Sequence, residues 1–166
     1  REDEVRAHAD YMAKNLKQYG WEYVVVDIQW SEPEASSTWY NTFYPLEMDE
    51  YSRLIPAENR FPSAKDGVGF KALGDYIHSL GLKFGIHIMR GIPRQAVHQN
   101  TAIKGTGKKA REIALNNISS WNSDMYGVNM DIPEGQLYYD SLIELYASWG
   151  VDFIKVDDIA YSILYG

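Results

Sequence analysis

Apolar and polar positions follow two rhythms along this chain, and one arrangement of them occurs three times. In each case a stretch with apolar residues at helical spacing ends on glycine, and a short apolar run follows at once. Gly20 precedes Trp21-Glu22-Tyr23-Val24-Val25-Val26-Asp27, and Gly81 precedes Leu82-Lys83-Phe84-Gly85-Ile86-His87-Ile88. Gly150 precedes Val151-Asp152-Phe153-Ile154-Lys155-Val156-Asp157-Asp158. A helix closed by glycine and followed by a buried strand is an αβ junction. Three in series predict parallel strands joined by crossover helices, an α/β fold. Asp27 and Asp157 each lie seven residues past their glycine. With matched registers, two carboxylates stand at the carboxyl ends of parallel strands, where such folds place their chemistry.

The spacing of Val5, Met12, Leu16 and Tyr19 predicts a helix over 2–19, with acidic residues in its first turn. Phe70, Leu73, Ile77 and Leu80 predict a second over 68–80. Leu137, Tyr138, Leu142, Leu145 and Tyr146 predict a third over 134–148. Strands are expected at 23–28, 83–88 and 153–156, and the unbroken apolar character of the first predicts burial on both faces. Long βα loops cover 29–67 and 90–134. The first is rich in Trp, Tyr, Pro, Ser and Asn and is expected to hold a hairpin of 40–46 against 51–55. The second is expected to begin as a turn at 90–94 and to hold a short helix within 107–115. Loops of this length are seldom idle connections.

The strands start at Tyr23, Lys83 and Phe153, 60 and 70 residues apart, against roughly 30 for a minimal βα unit of a barrel. The excess lies in the loops that build a barrel's active face. Three strands cannot close a barrel, and an open parallel sheet with bare edges is a poor end state. The whole chain, 1–166, is therefore expected to be one fragment of a larger domain, with more chain after Gly166 and before Arg1. It opens inside a helix pattern without an initiator Met, so missing targeting signals carry little weight.

The net charge of −7, with no basic run longer than Lys108-Lys109, argues against nucleic acid or an anionic membrane surface as a partner. No stretch nears the roughly 20 apolar residues of a membrane span. With no cysteine there is no disulfide, thiol nucleophile or zinc-thiolate site, and the compartment, cytoplasmic or exported, stays open. His8, His78 and His98 fall in helix or loop positions, which argues against a histidine metal site. Aromatic residues reach 14%, many of them in the loops after strands. Flat rings there suit sugar faces, and equally they suit packing beneath long loops.

Four segments in order resemble glycoside hydrolase family 27, the α-galactosidases and α-N-acetylgalactosaminidases. They are 23–30 (Tyr23-Val24-Val25-Val26-Asp27-Ile28-Gln29-Trp30), Arg60-Phe61-Pro62, 76–87 (Tyr76 to His87) and 149–157 (Trp149 to Asp157). The resemblance implies part of a (β/α)8 TIM barrel, strands two to four, from a retaining exo-glycosidase acting on terminal α-linked galactose or N-acetylgalactosamine. It implies Asp157 as nucleophile and Lys155 and Asp27 as contacts to sugar hydroxyls. No metal or organic cofactor is implied, and the acid/base carboxylate is expected beyond Gly166. Ile28 stands where the family has a second Asp, so a polar contact to the sugar is lost or supplied elsewhere. His87 stands where the family often has Tyr, and it remains a candidate substrate contact. A cysteine of the family has no counterpart; Ser119, Ser120 and Trp121 occupy about its place.

The residues support this chemistry independently. Lys155 and Asp157 are two apart, so both point to one face of a strand, and a cation beside a carboxylate keeps it ionised. Asp158 points the other way and reads as a cap or supporting acceptor. Trp30, Trp39 and Trp121 are candidate sugar-stacking platforms, and each suits loop packing equally. His87 lies six residues past its glycine rather than seven, so only a one-residue register step turns it to the same face as Asp27. Two other readings stay open. One is a carbohydrate-binding or truncated fragment without catalysis. The other is a Schiff-base aldolase using Lys155, which the adjacent carboxylate opposes by favouring the ammonium over the free amine.

Overall fold

The computed structural model describes residues 1–118 and 121–159. Helix α1 (Glu2–Asn15) runs into a 3-10 turn, Lys17–Tyr19, and strand β1 (Tyr23–Val26) follows. Helix α2 (Lys71–Ser79) leads into β2 (Lys83–Met89), and α5 (Pro133–Ser148) into β6 (Phe153–Asp157). Between β2 and α5 lie β3 (Ile92–Pro93), α3 (Arg94–Gln99), α4 (Ala110–Ile113), β4 (Ala114–Ile118) and β5 (Met125–Val128). The junction glycines Gly20, Gly81 and Gly150 have φ of 90°, 71° and 80°. This left-handed turn suits glycine and ends each helix where its strand begins.

The expected parallel sheet is present, in the order β1-β2-β6 with β2 in the centre. One face is closed by the helices. There Val24, Val26, Phe84 and Ile86 are buried with Phe70, Leu73 and Ile77 of the second helical segment. An aromatic cluster of Trp30, Phe61, Phe70, Tyr146 and Trp149 fills the space between α2, α5 and the first long loop. Its rings meet mostly edge to face at centroid distances of 5.0 to 6.4 Å.

The other face is open. Burial of β1 on both sides, expected from its apolar run, does not occur: Tyr23 and Val25 are exposed while Val24 and Val26 are buried. Phe153 and Lys155 on this side are exposed too, while His87 and Met89, towards the carboxyl end of β2, are buried. Tyr23 and Phe153 instead meet edge to face at 5.6 Å across the central strand. They can do so because Gly85, paired with both Val25 and Phe153, raises no side chain between them.

The two long loops form a packed layer above the sheet. The hairpin expected from 40–46 is absent. The short turn spans Glu47 to Ile55, with a bridge at Met48 and Leu54, and Asp49 accepts hydrogen bonds from the Tyr51 and Arg53 amides. The stretch expected as a turn at 90–94 contains β3, which joins β5 and β4 in a small antiparallel sheet. The short helix expected within 107–115 is α4. Gln95 clamps Leu46, donating to its carbonyl and accepting from its amide at 2.8 Å each. Ser52 Oγ donates to the Ala102 carbonyl, and Tyr138 Oη donates to the Ser52 carbonyl. These bonds satisfy loop backbone that burial would otherwise leave without partners.

Trp30 belongs to this core. It is 3% exposed, and its Nε1 donates to the His87 carbonyl at 2.7 Å. That corrects its expected role as a sugar platform, because its faces are spent on Phe70, Tyr146 and Trp149. Trp30→Ala is expected to lower unfolding free energy by about 3–5 kcal/mol. Urea denaturation followed by circular dichroism of the protein carrying this chain checks this; an unchanged midpoint contradicts the core assignment.

Candidate active site

Strand register assembles the polar row. His87 pairs with Lys155, Met89 with Asp157, and Val26 with Ile86. Asp27, one residue beyond Val26, thus comes level with His87 and Lys155. Counted from the three glycines, these positions are seven, six and five residues along, so the sheet steps by one residue per strand. Asp27 and Asp157 are accordingly not level, as equal counts had suggested; Asp157 stands two residues further along. The same step turns His87 to the open face. Paired residues of a parallel sheet share a face, and residues two apart on one strand do too.

The contacts follow. Lys155 Nζ reaches Asp27 Oδ2 at 3.1 Å and Oδ1 at 3.3 Å. His87 Nε2 lies 3.1 Å from Asp157 Oδ2 and 4.0 Å from Asp27 Oδ1. Lys155 and Asp27 are about half exposed, whereas the His87 side chain is 2% exposed. His87, expected as a substrate contact, is therefore placed to hold the Asp157 carboxylate. The Asp158 amide donates to Asp157 Oδ1 at 2.8 Å. Asp158 itself is buried against Arg90, whose Nε lies 3.1 Å from its carbonyl and 3.3 Å from its Oδ2. This fits the expected supporting role.

Both carboxyls of the row are held below the ordinary aspartate range. For Asp157 the hydrogen bond with His87 is the main cause; slight burial opposes it, and the Asp158 amide adds to it. For Asp27 burial is the largest influence and pushes upward. The Ile28 amide at 2.9 Å and the Lys155 ammonium together outweigh it. An ionised Asp157, fixed by two donors and open on one side, can act as a nucleophile or as an electrostatic partner for a developing cation.

A second group beside this row did not stand out in the sequence. Asp124, just before β5, accepts a hydrogen bond from Gln29 Nε2 at 2.6 Å. It lines a narrow crevice with Ile28 and His87. Burial pushes its carboxyl up, against the Gln29 and Asn122 hydrogen bonds and nearby Arg94. Glu32, 0% exposed, is also pushed up by burial; its hydrogen bond from Asn41 opposes this, and Asp124 reinforces it. Trp121 is 41% exposed and tilts against Tyr40 at 5.6 Å, on a rim that includes Asp124. Ser119 and Ser120 lie outside the described residues. Among the described residues, no group of three or more acidic or histidine side chains forms a metal-binding cluster, and no helix is long and apolar enough to cross a membrane.

No family model matches the chain. Solved structures do. A family 27 β-L-arabinopyranosidase from Geobacillus stearothermophilus is 69% identical, with a TM-score of 0.96 over 100% of this chain and 38% of its own. A proposed α-N-acetylgalactosaminidase from Bacillus halodurans is 65% identical, with a TM-score of 0.90 over 96% of this chain and 38% of its own. Alpha-galactosidase 3 of Hypocrea jecorina is 28% identical over 144 residues, 86% of this chain and 19% of that enzyme. The chain thus spans well under half the length of these relatives.

His87→Ala removes the main influence holding the Asp157 carboxyl down. If a process needs that carboxylate ionised, it fails as pH falls through the carboxyl's pKa. Raising the pKa moves the failure to higher pH. The acidic limb of the kcat/KM profile of the full-length enzyme is therefore expected to shift upward in the variant. An unmoved limb contradicts the link between His87 and Asp157.

Proposed function

The chain belongs to glycoside hydrolase family 27, and from that premise we propose that it is part of a (β/α)8 barrel of a retaining exo-glycosidase. The observation that carries this reading is the ionised Asp157 on the open face of a parallel sheet, beside the Lys155–Asp27 pair. An Asp157 oxygen attacks the anomeric carbon as the bond to the leaving oxygen breaks. A second carboxyl group, expected beyond Gly166, gives that oxygen its proton. The resulting glycosyl ester is then cleaved by water, which passes a proton to the same group, and Asp157 is regenerated. Lys155 and Asp27 hold sugar hydroxyls, and His87 orients the nucleophile. The 166-residue chain alone, lacking that second carboxyl, is proposed to be inactive.

Ile28 bears on the choice of sugar. An apolar side chain in place of the family's second Asp, half-buried at the crevice with His87, favours a sugar with fewer hydroxyl groups to satisfy. A β-L-arabinopyranoside has the ring configuration of an α-D-galactopyranoside without its hydroxymethyl group. The activity stated for the Geobacillus relative agrees with that preference. We place β-L-arabinopyranosides first and α-galactosides second, with N-acetylgalactosaminides as the third substrate to compare.

Three outcomes are expected in the full-length enzyme. A 2-deoxy-2-fluoro glycosyl inactivator of galacto configuration labels Asp157, as read by peptide mass mapping, and Asp157→Asn lowers kcat by at least about a thousandfold. No label on folded, active protein removes the nucleophile assignment. Separately, Ile28→Asp shifts the ratio of kcat/KM towards the α-galactoside by roughly tenfold or more. An unchanged ratio means that Ile28 does not select the sugar.

A further inference from the structure

The Asp157 carboxylate is fixed at both oxygens. His87 Nε2 lies 3.1 Å from Oδ2, and the Asp158 amide donates to Oδ1 at 2.8 Å. The second contact depends on backbone shape. Asp158 has φ of 63°, in the left-handed region that glycine enters freely and other residues enter at a cost. Arg90 holds it there from two sides. Its Nε donates to the Asp158 carbonyl at 3.1 Å and lies 3.3 Å from Asp158 Oδ2. The Arg90 amide also donates to the Asp157 carbonyl at 3.2 Å. One residue at the end of β2 thus grips the last two residues in question on β6 and just beyond it.

Arg90 is itself seated. Its side chain is 11% exposed and that of Asp158 is 3% exposed, so two buried charges neutralise each other. The next residue, Gly91, has φ of 103°, and a β-carbon on it would collide with the Tyr126 carbonyl of β5. The Gly91 amide donates to Tyr139 Oη of α5 at 2.9 Å. The turn that carries Arg90 is therefore packed between β5 and α5.

We propose that Arg90 is a positioning residue for the nucleophile: by binding the carbonyl and the carboxylate of Asp158, it keeps that residue left-handed and its amide aimed at Asp157 Oδ1. The inference rests on the reading of Asp157 as nucleophile and adds a residue that acts through the main chain, without touching the sugar. A carboxylate held by two donors presents its lone pairs in a fixed direction, and orientation of this kind needs support from the residues behind it.

The first test compares Asp158→Gly with Asp158→Ala in the full-length enzyme. Both remove the same carboxylate, so they differ in whether residue 158 tolerates a left-handed backbone. His87, Lys155 and Asp27, the titratable side chains of the row, and Arg90 stay in place in both. The kcat/KM of the alanine variant is expected about tenfold below that of the glycine variant. Its acidic limb is expected at higher pH, because the lost amide contact had held the Asp157 carboxyl down. A merely structural role lowers stability and moves neither readout, and equal values in the two variants overturn the proposal.

The second test isolates Arg90. Arg90→Met is expected to lower kcat/KM about tenfold in the wild-type background and less than about threefold beside Asp158→Gly, where the backbone needs no anchor. An equal loss in both backgrounds overturns the proposal. If Arg90→Met does not fold, Arg90→Lys, which keeps the charge and loses the planar fork, is read in the same way. If wild type turns over no glycoside, the glycosidase reading fails by itself, and crystal structures of the two Asp158 variants decide the positioning. A left-handed residue 158 with its amide on Asp157 in the glycine variant alone supports it, and the same backbone in both overturns it.

Discussion

The structure depends on the register of three parallel strands. Each strand begins just after a helix-ending glycine, and each pairs one residue out of step with the last as counted from that glycine. That step puts an acid, an imidazole and an ammonium level across the sheet, with a second acid two residues beyond. A slip of one residue on the central strand would turn His87 into the helical core and leave Asp157 without its main stabilising contact. The backbone pairing that holds the sheet together therefore also sets the electrostatics of the site.

The two faces of the sheet divide the work. The helix-covered face is filled by tightly packed apolar and aromatic side chains, several of them at 0% exposure. It holds β2 in place from below. The open face carries the polar row, with Tyr23 and Phe153 meeting over Gly85 beneath it. Trp30 joins the faces: its ring belongs to the core, and its indole nitrogen holds the backbone of the strand that presents His87. Core packing thus reaches the site through a hydrogen bond to the main chain.

The loops complete the arrangement by fixing one another. The Gln95 clamp on Leu46 and the Ser52 contacts tie the first long loop to the second. Asp124 arrives beside Gln29 only because β5 pairs with β3, which leaves directly from the end of β2. A small antiparallel sheet inserted after a strand of a parallel sheet can in this way add surface to a site without disturbing the strands beneath it.

The three helix-to-strand junctions, the parallel sheet and the placement of Asp27, Lys155 and Asp157 at strand ends were legible in the chain itself. Periodicity and glycine punctuation are local signals, and a helix-to-strand junction is a local event. The face on which His87 lies was not legible, because register is a relation between strands distant in sequence. Nor was the burial of Trp30: an indole after a strand end looks alike whether it meets a sugar or Phe70 and Trp149. The antiparallel sheet of the second long loop escaped because its pairings join residues up to 34 apart, from Ile92 to Tyr126, with two-residue β3 too short to show a period. Asp124 was hidden for the same reason. Sequence determined which polar side chains stand at the strand ends; tertiary structure decided which groups meet, because side-chain direction in a sheet is set by partners the local sequence does not name.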